Sequence, residues 1–318
     1  MHVTAPASSA NLGPGFDTLG LALDLPFELI EGQTASGGAS GPASGGASGL
    51  ASGGASGGAS RSAPVDVPPG FLLAEQGHPA CRAYVAAGGA PERELWWRSP
   101  IPPGRGLGFS GAARVAGAYL ALLGSGSELD GAFRIAAGLE GHPDNAAAST
   151  FGGLTVAAGG AAVRVRGPEG LVERLRLVTW SPAEGTSTDS SRSHLEEGVP
   201  LPIAISSIGR ASLWVAAIAS GRLDLLRQAC LDELHQPARL AARPDAAAVL
   251  RACLDSEQVL AAWLSGSGPT VAALLGSEQD ASRLAEQLTA GSPVDHQDRS
   301  RVRVLKIDVK GVHQVIPD

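Results

Sequence analysis

Hydrophobic and polar positions alternate between two periods along the chain. Residues 19–30 place Leu19, Leu21, Leu23 and Leu25 at every second position, the spacing of a half-buried strand. Pro26 then interrupts the run, and a residue without a backbone N–H favours an edge or a bend. Residues 1–7 are short and partly apolar, and 94–101 are aromatic-rich; both read as strands. Residues 110–123 are alanine-rich with helical spacing, and Ser110 is placed to cap that helix. Residues 152–166 carry Gly-Gly breaks between β-type runs, which predicts a hairpin. Helical periodicity returns over 211–233. Residues 271–275 read as a buried strand, 279–288 as a helix and 302–315 as a final β region. The mixture predicts an α+β protein with antiparallel sheets and helices on one face.

One tract fits neither period. Over 34–62 the chain repeats Ala-Ser-Gly-Gly, with almost nothing apolar beyond Leu50. Such a segment cannot bury enough surface to offset the entropy of ordering it, so it reads as a flexible loop. The residues before it are too few to fold alone. It is therefore expected to be an insertion between two strands of one domain, which loop entropy tolerates.

Composition narrows the chemistry. The chain has 318 residues, 44% of them hydrophobic, enough for one large or two medium domains. Net charge is −7 with no block of like charges, which argues against a nucleic-acid or anionic-membrane partner. The lysines are Lys306 and Lys310 alone. A bound phosphate would thus rely on backbone N–H groups, arginine or a metal ion. Cys81, Cys230 and Cys253 form no CxxC pair and read as free thiols in a reducing compartment. The N-terminus lacks a basic segment followed by an apolar one. No uninterrupted apolar stretch approaches the ~20 residues of a membrane span. These features predict a soluble cytoplasmic protein.

Four segments carry candidate chemistry. In Pro6-Ala7-Ser8-Ser9-Ala10-Asn11-Leu12-Gly13-Pro14-Gly15-Phe16-Asp17 a strand leads into a tight turn that holds Asn11 and Asp17. In Pro102-Pro103-Gly104-Arg105-Gly106-Leu107-Gly108-Phe109-Ser110-Gly111 a glycine-rich loop runs straight into a helix. Its N–H groups and the helix dipole can converge on an anion, and Ser110 can cap the helix or ligate Mg²⁺. It is neither a Walker A loop nor GxGxxG. Glu140-Gly141-His142-Pro143-Asp144-Asn145 gathers two carboxylates on a turn, suited to a hard cation held at Glu140 or Asp144. His142, between glycine and proline, reads as structural. Leu264-Ser265-Gly266-Ser267-Gly268-Pro269-Thr270 lets another backbone pack closely. Taken singly, each segment is also an ordinary turn whose polar groups bond their own backbone.

Together, in this order, the four resemble the motifs of the GHMP kinases, and within them the homoserine kinases. The first matches that branch nearly residue for residue, and the second is similar to the PxxxGLGSSAA phosphate loop. Residues 187–192 and 235–239 resemble two of its substrate-side segments. The similarity spans the chain apart from the insertion. It implies two domains, a ribosomal-S5-like ATP-binding domain over 1–155 and a ferredoxin-like domain over 156–318, with the site in a cleft between them. It implies transfer of a phosphoryl group from ATP, with Mg²⁺, to L-homoserine. By the same resemblance Pro103, Gly104, Arg105, Gly106, Leu107, Gly108, Phe109, Ser110 and Gly111 would cradle ATP. Ser110 and Glu140 would hold Mg²⁺, and Asn11 and Asp17 the amino-acid head group. Arg192 and Arg239 would grip its carboxylate, a task suited to the guanidinium fork. Asn145 and Thr188 would lie near the reacting hydroxyl. Asp144 would act as a base or support the loop. The family analogy also implies a homodimer.

Three departures stand out. Phe109 replaces the first serine of the phosphate loop, the segment around His78 lacks an asparagine often found beside adenine, and Ala146-Ala147-Ala148 follows Asn145 where Val-Ala-Pro is expected. A different hydroxylated acceptor, or a nucleotide-binding relative without catalysis, therefore stay open. Deleting residues 35–60 is expected to leave ADP release unchanged. A folded but inactive deletion variant would contradict the passive reading of that tract.

Overall fold

The computed structural model describes residues 1–32, 67–184, 198–291 and 301–316. The insertion over 34–62, Thr188 and Arg192 fall outside the described residues.

The first half is a seven-stranded antiparallel sheet ordered β11-β1-β2-β4-β3, with the β5–β6 hairpin also attached to β2. β1 (His2–Ala10) and β2 (Leu19–Glu31) form its centre, paired from His2↔Ile30 to Ala10↔Gly20. β2 is not an edge. Beyond β1 it pairs with β5 (Leu154–Ala158) through 19–21 and with β4 (Leu95–Arg98) through 28–31. Pro26 sits between those two partners and faces a β-bulge at Pro6/Ala7, so its missing donor breaks no ladder bond. β3 (Leu72–Leu73) borders β4, and β6 (Ala161–Arg164) borders β5. The expected domain division at 155/156 falls inside β5, and the first sheet runs on through Arg164.

Four helices cover this sheet: α1 (Pro79–Ala86), α2 (Phe109–Leu122), α3 (Glu128–Glu140) and α4 (Asp144–Phe151). α2 and α4 lie on β1 and β2, while α1 and α3 pack against α2. The buried face of α2 is almost all alanine, valine and glycine, which lets its axis approach the strands. Ser110 does not cap it. Gly108, at φ 70°, occupies the cap, and Ser110 lies inside the first turn.

The second half is a four-stranded antiparallel sheet ordered β10-β7-β9-β8. Its strands are β7 (Arg176–Ser181), β8 (Val259–Leu264), β9 (Val271–Leu275) and β10 (Arg301–Lys306). The helices Pro244–Asp255 and Glu278–Gly291 pack on it. The chain order β7, helices, β8, β9, helix, β10 gives the expected ferredoxin-like α+β arrangement. The helical region expected over 211–233 is instead a helix at Leu201–Ser220, stopped by Gly221 in the left-handed conformation. Among the described residues it is one helix long and apolar enough to cross a membrane. Trp214, Ala217 and Ile218 are buried in the core, and Arg210 sits mid-helix, paired with Glu233 at 2.8 Å. β11 (His313–Gln314) returns to pair with β1, and Asp24 accepts a bond from the Lys306 N–H at 2.7 Å. An apolar cluster runs through both halves, and a second one lies between the four-stranded sheet and its two helices.

Candidate active site

The turn after β1 is held in a costly conformation. Asn11, Leu12 and Asp17 have φ values of 71°, 50° and 55°, a region that residues with a Cβ avoid. Leu12 is fully buried and gains no local hydrogen bond from its side chain, so surrounding contacts impose its backbone. Asn11 supplies them: its Nδ2 donates to the Gly266 carbonyl at 2.9 Å, and its Oδ1 accepts from the Asp17 N–H at 3.1 Å. The turn at 265–270 thus fixes where Asp17 stands.

The glycine loop meets that same turn. At Gly106, φ is 76° and an added Cβ would overlap the Ser265 carbonyl oxygen. The Ser265 hydroxyl donates back to the Gly106 carbonyl at 2.6 Å. α2 begins with no side-chain cap and no acidic residue in its first turn, so its leading N–H groups keep their affinity for an anion. Arg105 points elsewhere than the sequence suggests: its two Nη groups donate to the carbonyls of Pro182 and Ala183, past the end of β7. The Phe109 ring is edge-on to Trp97 at 5.5 Å and to Phe27 at 5.6 Å, beside His78. The serine-to-phenylalanine departure is therefore absorbed by an aromatic cluster.

The acidic turn closes the far side. Glu140 ends α3, and Asp144 and Asn145 open α4. Glu140 Oε1 accepts from Ser110 Oγ and from Arg114 Nη1, the latter at 2.7 Å. Its Oε2 is buried with no hydrogen-bond partner among the described residues. Burial pushes this carboxyl up, against the opposing pull of Arg114, His142 and Ser110. A buried, unmatched carboxylate oxygen beside a hydroxyl fits a hard cation. Asp17, His142 and Asp144 also bring ligand-type atoms within 4.8 Å of one another. Asp144 Oδ1, however, already accepts from His142 Nδ1 and from the Asn145 N–H, each at 2.8 Å. Asn145 Oδ1 accepts from Ser8 Oγ at 2.9 Å.

The surroundings of His142 are more specific than its sequence context suggests. The side chain lines the cavity and pairs with Asp144, a geometry its Gly-His-Pro context does not announce. Burial alone would lower its pKa. The Asp144 hydrogen bond and charge, with Glu140 and Asp17, outweigh burial and raise it. A raised folded-state pKa means the folded chain holds the proton more tightly. That stability is complete below the ordinary histidine range and is lost as pH rises through the higher folded value. The melting temperature should therefore fall as pH rises above the ordinary histidine value of about 6.5. His142→Asn should flatten that slope; an unchanged slope would remove His142 as its source.

On the remaining wall, Arg239 is buried. Its Nη1 donates to the Gly266 carbonyl at 3.0 Å and lies 3.1 Å from His235 Nδ1. His235 Nε2 lies 2.8 Å from the Gly13 carbonyl, which can only accept. His235 is therefore the Nε2–H tautomer, with Nδ1 accepting from Arg239. Burial lowers its pKa and keeps it neutral. The Arg239 guanidinium also stands 5.2 Å from the Phe16 ring centre. Neither His235 nor Phe16 has a periodic or compositional signal beyond the motifs that contain them.

These pieces surround one open cavity of about 240 Å³. Asn11, Asp17, Gly104 to Ser110, Glu140, Asp144, Asn145 and Arg239 all line it, joined by Phe16, His142, Gly266 and Ser267. Pro103 and Gly111 do not. Gly111 is buried behind the loop, where a Cβ would press on Asn145 and Glu140.

Residues 79–153 match the GHMP kinases N-terminal domain, and residues 214–293 match GHMP kinases C terminal. The chain is 39% identical to a homoserine kinase of Thermus thermophilus over 291 residues, 87% of each chain. It is 37% identical to one of Moorella thermoacetica over 301 residues, 87% of this chain and 88% of the other. Among solved structures, homoserine kinase from Cytophaga hutchinsonii superposes with a TM-score of 0.75 at 22% identity, covering 99% of this chain and 97% of that one. The fold, the assembled motifs and these likenesses agree: the chain belongs to the homoserine kinase branch of the GHMP kinase family.

Proposed function

We propose that the chain transfers the γ-phosphoryl group of ATP to the hydroxyl of L-homoserine, giving O-phospho-L-homoserine and ADP. The observation that carries this reading is a single cavity with an uncapped helix N-terminus on one wall and Asp17 with Arg239 on another. The first suits a polyphosphate, and the second an α-ammonium beside an α-carboxylate. Gly104, Gly106, Leu107, Gly108 and Ser110 would cradle the triphosphate. Asn11 and Asp17 would receive the ammonium, and Arg239, with Arg192, the carboxylate. Asn145, with Thr188, would lie beside the acceptor hydroxyl. Glu140 and Ser110 would hold Mg²⁺, which when bound would neutralise phosphate charge. Phosphoryl transfer needs mainly alignment and charge stabilisation. The bonds on Asp144 Oδ1 favour a supporting role for Asp144, orienting Asn145 and His142, over that of a base.

The nucleotide half would comprise the first sheet with α1–α4, and the acceptor half the second sheet. A cytoplasmic location and a homodimer belong to the proposal through family analogy alone. A coupled ADP-release assay tests it, with L-homoserine, threonine, pantoate and mevalonate compared at millimolar concentration. Turnover with homoserine above the others is expected; none with homoserine would overturn the reading. Arg239→Met should raise the homoserine KM about 100-fold, the cost of unmaking a buried charge-assisted contact, with a smaller change in kcat. Equal loss in both would contradict its place on the carboxylate.

A further inference from the structure

Arg105 stands in the middle of the glycine loop, where a cation would be expected to meet phosphate. Its guanidinium is instead spread across two consecutive main-chain carbonyls, Pro182 and Ala183. Pro182 is buried, and Ser181 before it is bonded to Thr270 Oγ1 at 2.7 Å, so this end of β7 is itself anchored to the 265–270 turn. Lysine, with one compact ammonium, cannot span two carbonyls in one plane as the guanidinium fork does. On its other flank the glycine loop is already tied to that turn, through Ser265 and Gly106.

We propose that Arg105 is a positioning residue for the acceptor side rather than a phosphate ligand. It clasps the exit of β7 to the nucleotide loop, and that exit is anchored through Ser181 and Thr270 to the turn whose Gly266 carbonyl holds Asn11 and Arg239. The residue that belongs by sequence to the nucleotide motif thereby sets the register of the acceptor half against it. This rests on the kinase reading above, and it divides the two KM values in a way that a phosphate contact would not.

The test uses the full chain with Arg105→Met and Arg105→Lys. Wild-type turnover of homoserine comes first, so that failure of the kinase reading shows before either variant is read. Both variants should then raise the homoserine KM about tenfold, the scale of one or two charge-assisted hydrogen bonds. The ATP KM should stay within about twofold, as should calorimetric affinity for a non-hydrolysable ATP analogue. Lysine should fail to rescue because it keeps the charge but not the fork. A weaker nucleotide affinity with an unchanged homoserine KM would make Arg105 a phosphate ligand and overturn the proposal. Equal change in both constants, or in neither, would also overturn it. Should Arg105→Met lose its cooperative melt, Arg105→Lys alone decides between these outcomes.

Discussion

Glu140→Gln is expected to lower kcat by about 100- to 1,000-fold while changing the homoserine KM little, equivalent to about 2.7–4 kcal/mol of lost transition-state stabilisation. Glutamine keeps the shape but replaces one acceptor oxygen with an NH₂ group. That group would face either Ser110 and Arg114, which already donate to Oε1, or the buried and unmatched position of Oε2. The first orientation sets donor against donor; the second removes the anionic oxygen proposed for Mg²⁺. In the first orientation Ser110 also loses its acceptor, so raised Mg²⁺ should not restore the rate fully. Initial rates over a Mg²⁺ series would read this, and a variant within threefold of wild type would remove Glu140 from the site.

Gly106→Ala should be nearly as damaging by another route. The new methyl group has a left-handed backbone to contend with and the Ser265 carbonyl oxygen in its path. Neither obstacle is a flexible side chain, so one of the two loops must retreat. Nucleotide affinity is expected to fall at least 50-fold, with the melting temperature lower by several degrees. Equilibrium binding of an ATP analogue and a thermal melt would check both. Exposed Gly124→Ala serves as a comparison for the melt, because it shares the positive φ but an added Cβ there meets nothing within 4 Å. Equal losses of melting temperature in the two would locate the effect in backbone strain rather than in the meeting of loops.

Much of this site was legible because its motifs are local. Phosphate loops, strained Asn/Asp turns and paired carboxylates are written in contiguous residues. What could not be read is how separate motifs meet. Ser110 looks like a cap in a linear sequence, but its hydroxyl is drawn to Glu140 from a different helix. His142 reads only as structural until the start of α4 supplies Asp144 as its partner. Pro26 looks like an edge marker, yet it lies in a central strand whose partners divide on either side of it. The β period of 19–30 and the alanine-rich helix were visible because burial on one face dictates them. The polar start of α3 and the alanine run of α4 gave no such periodic signal.

The pairing of β11 with β1 bears on how the protein is made. Val3 and Thr4 are synthesised long before their partners Gln314 and His313. Until then β1 presents an open hydrogen-bonding edge, and such edges recruit other chains. Closure of this sheet should therefore be slow, since the contact joins positions far apart in sequence. Nascent chains truncated before residue 300 would be the species most in need of a chaperone.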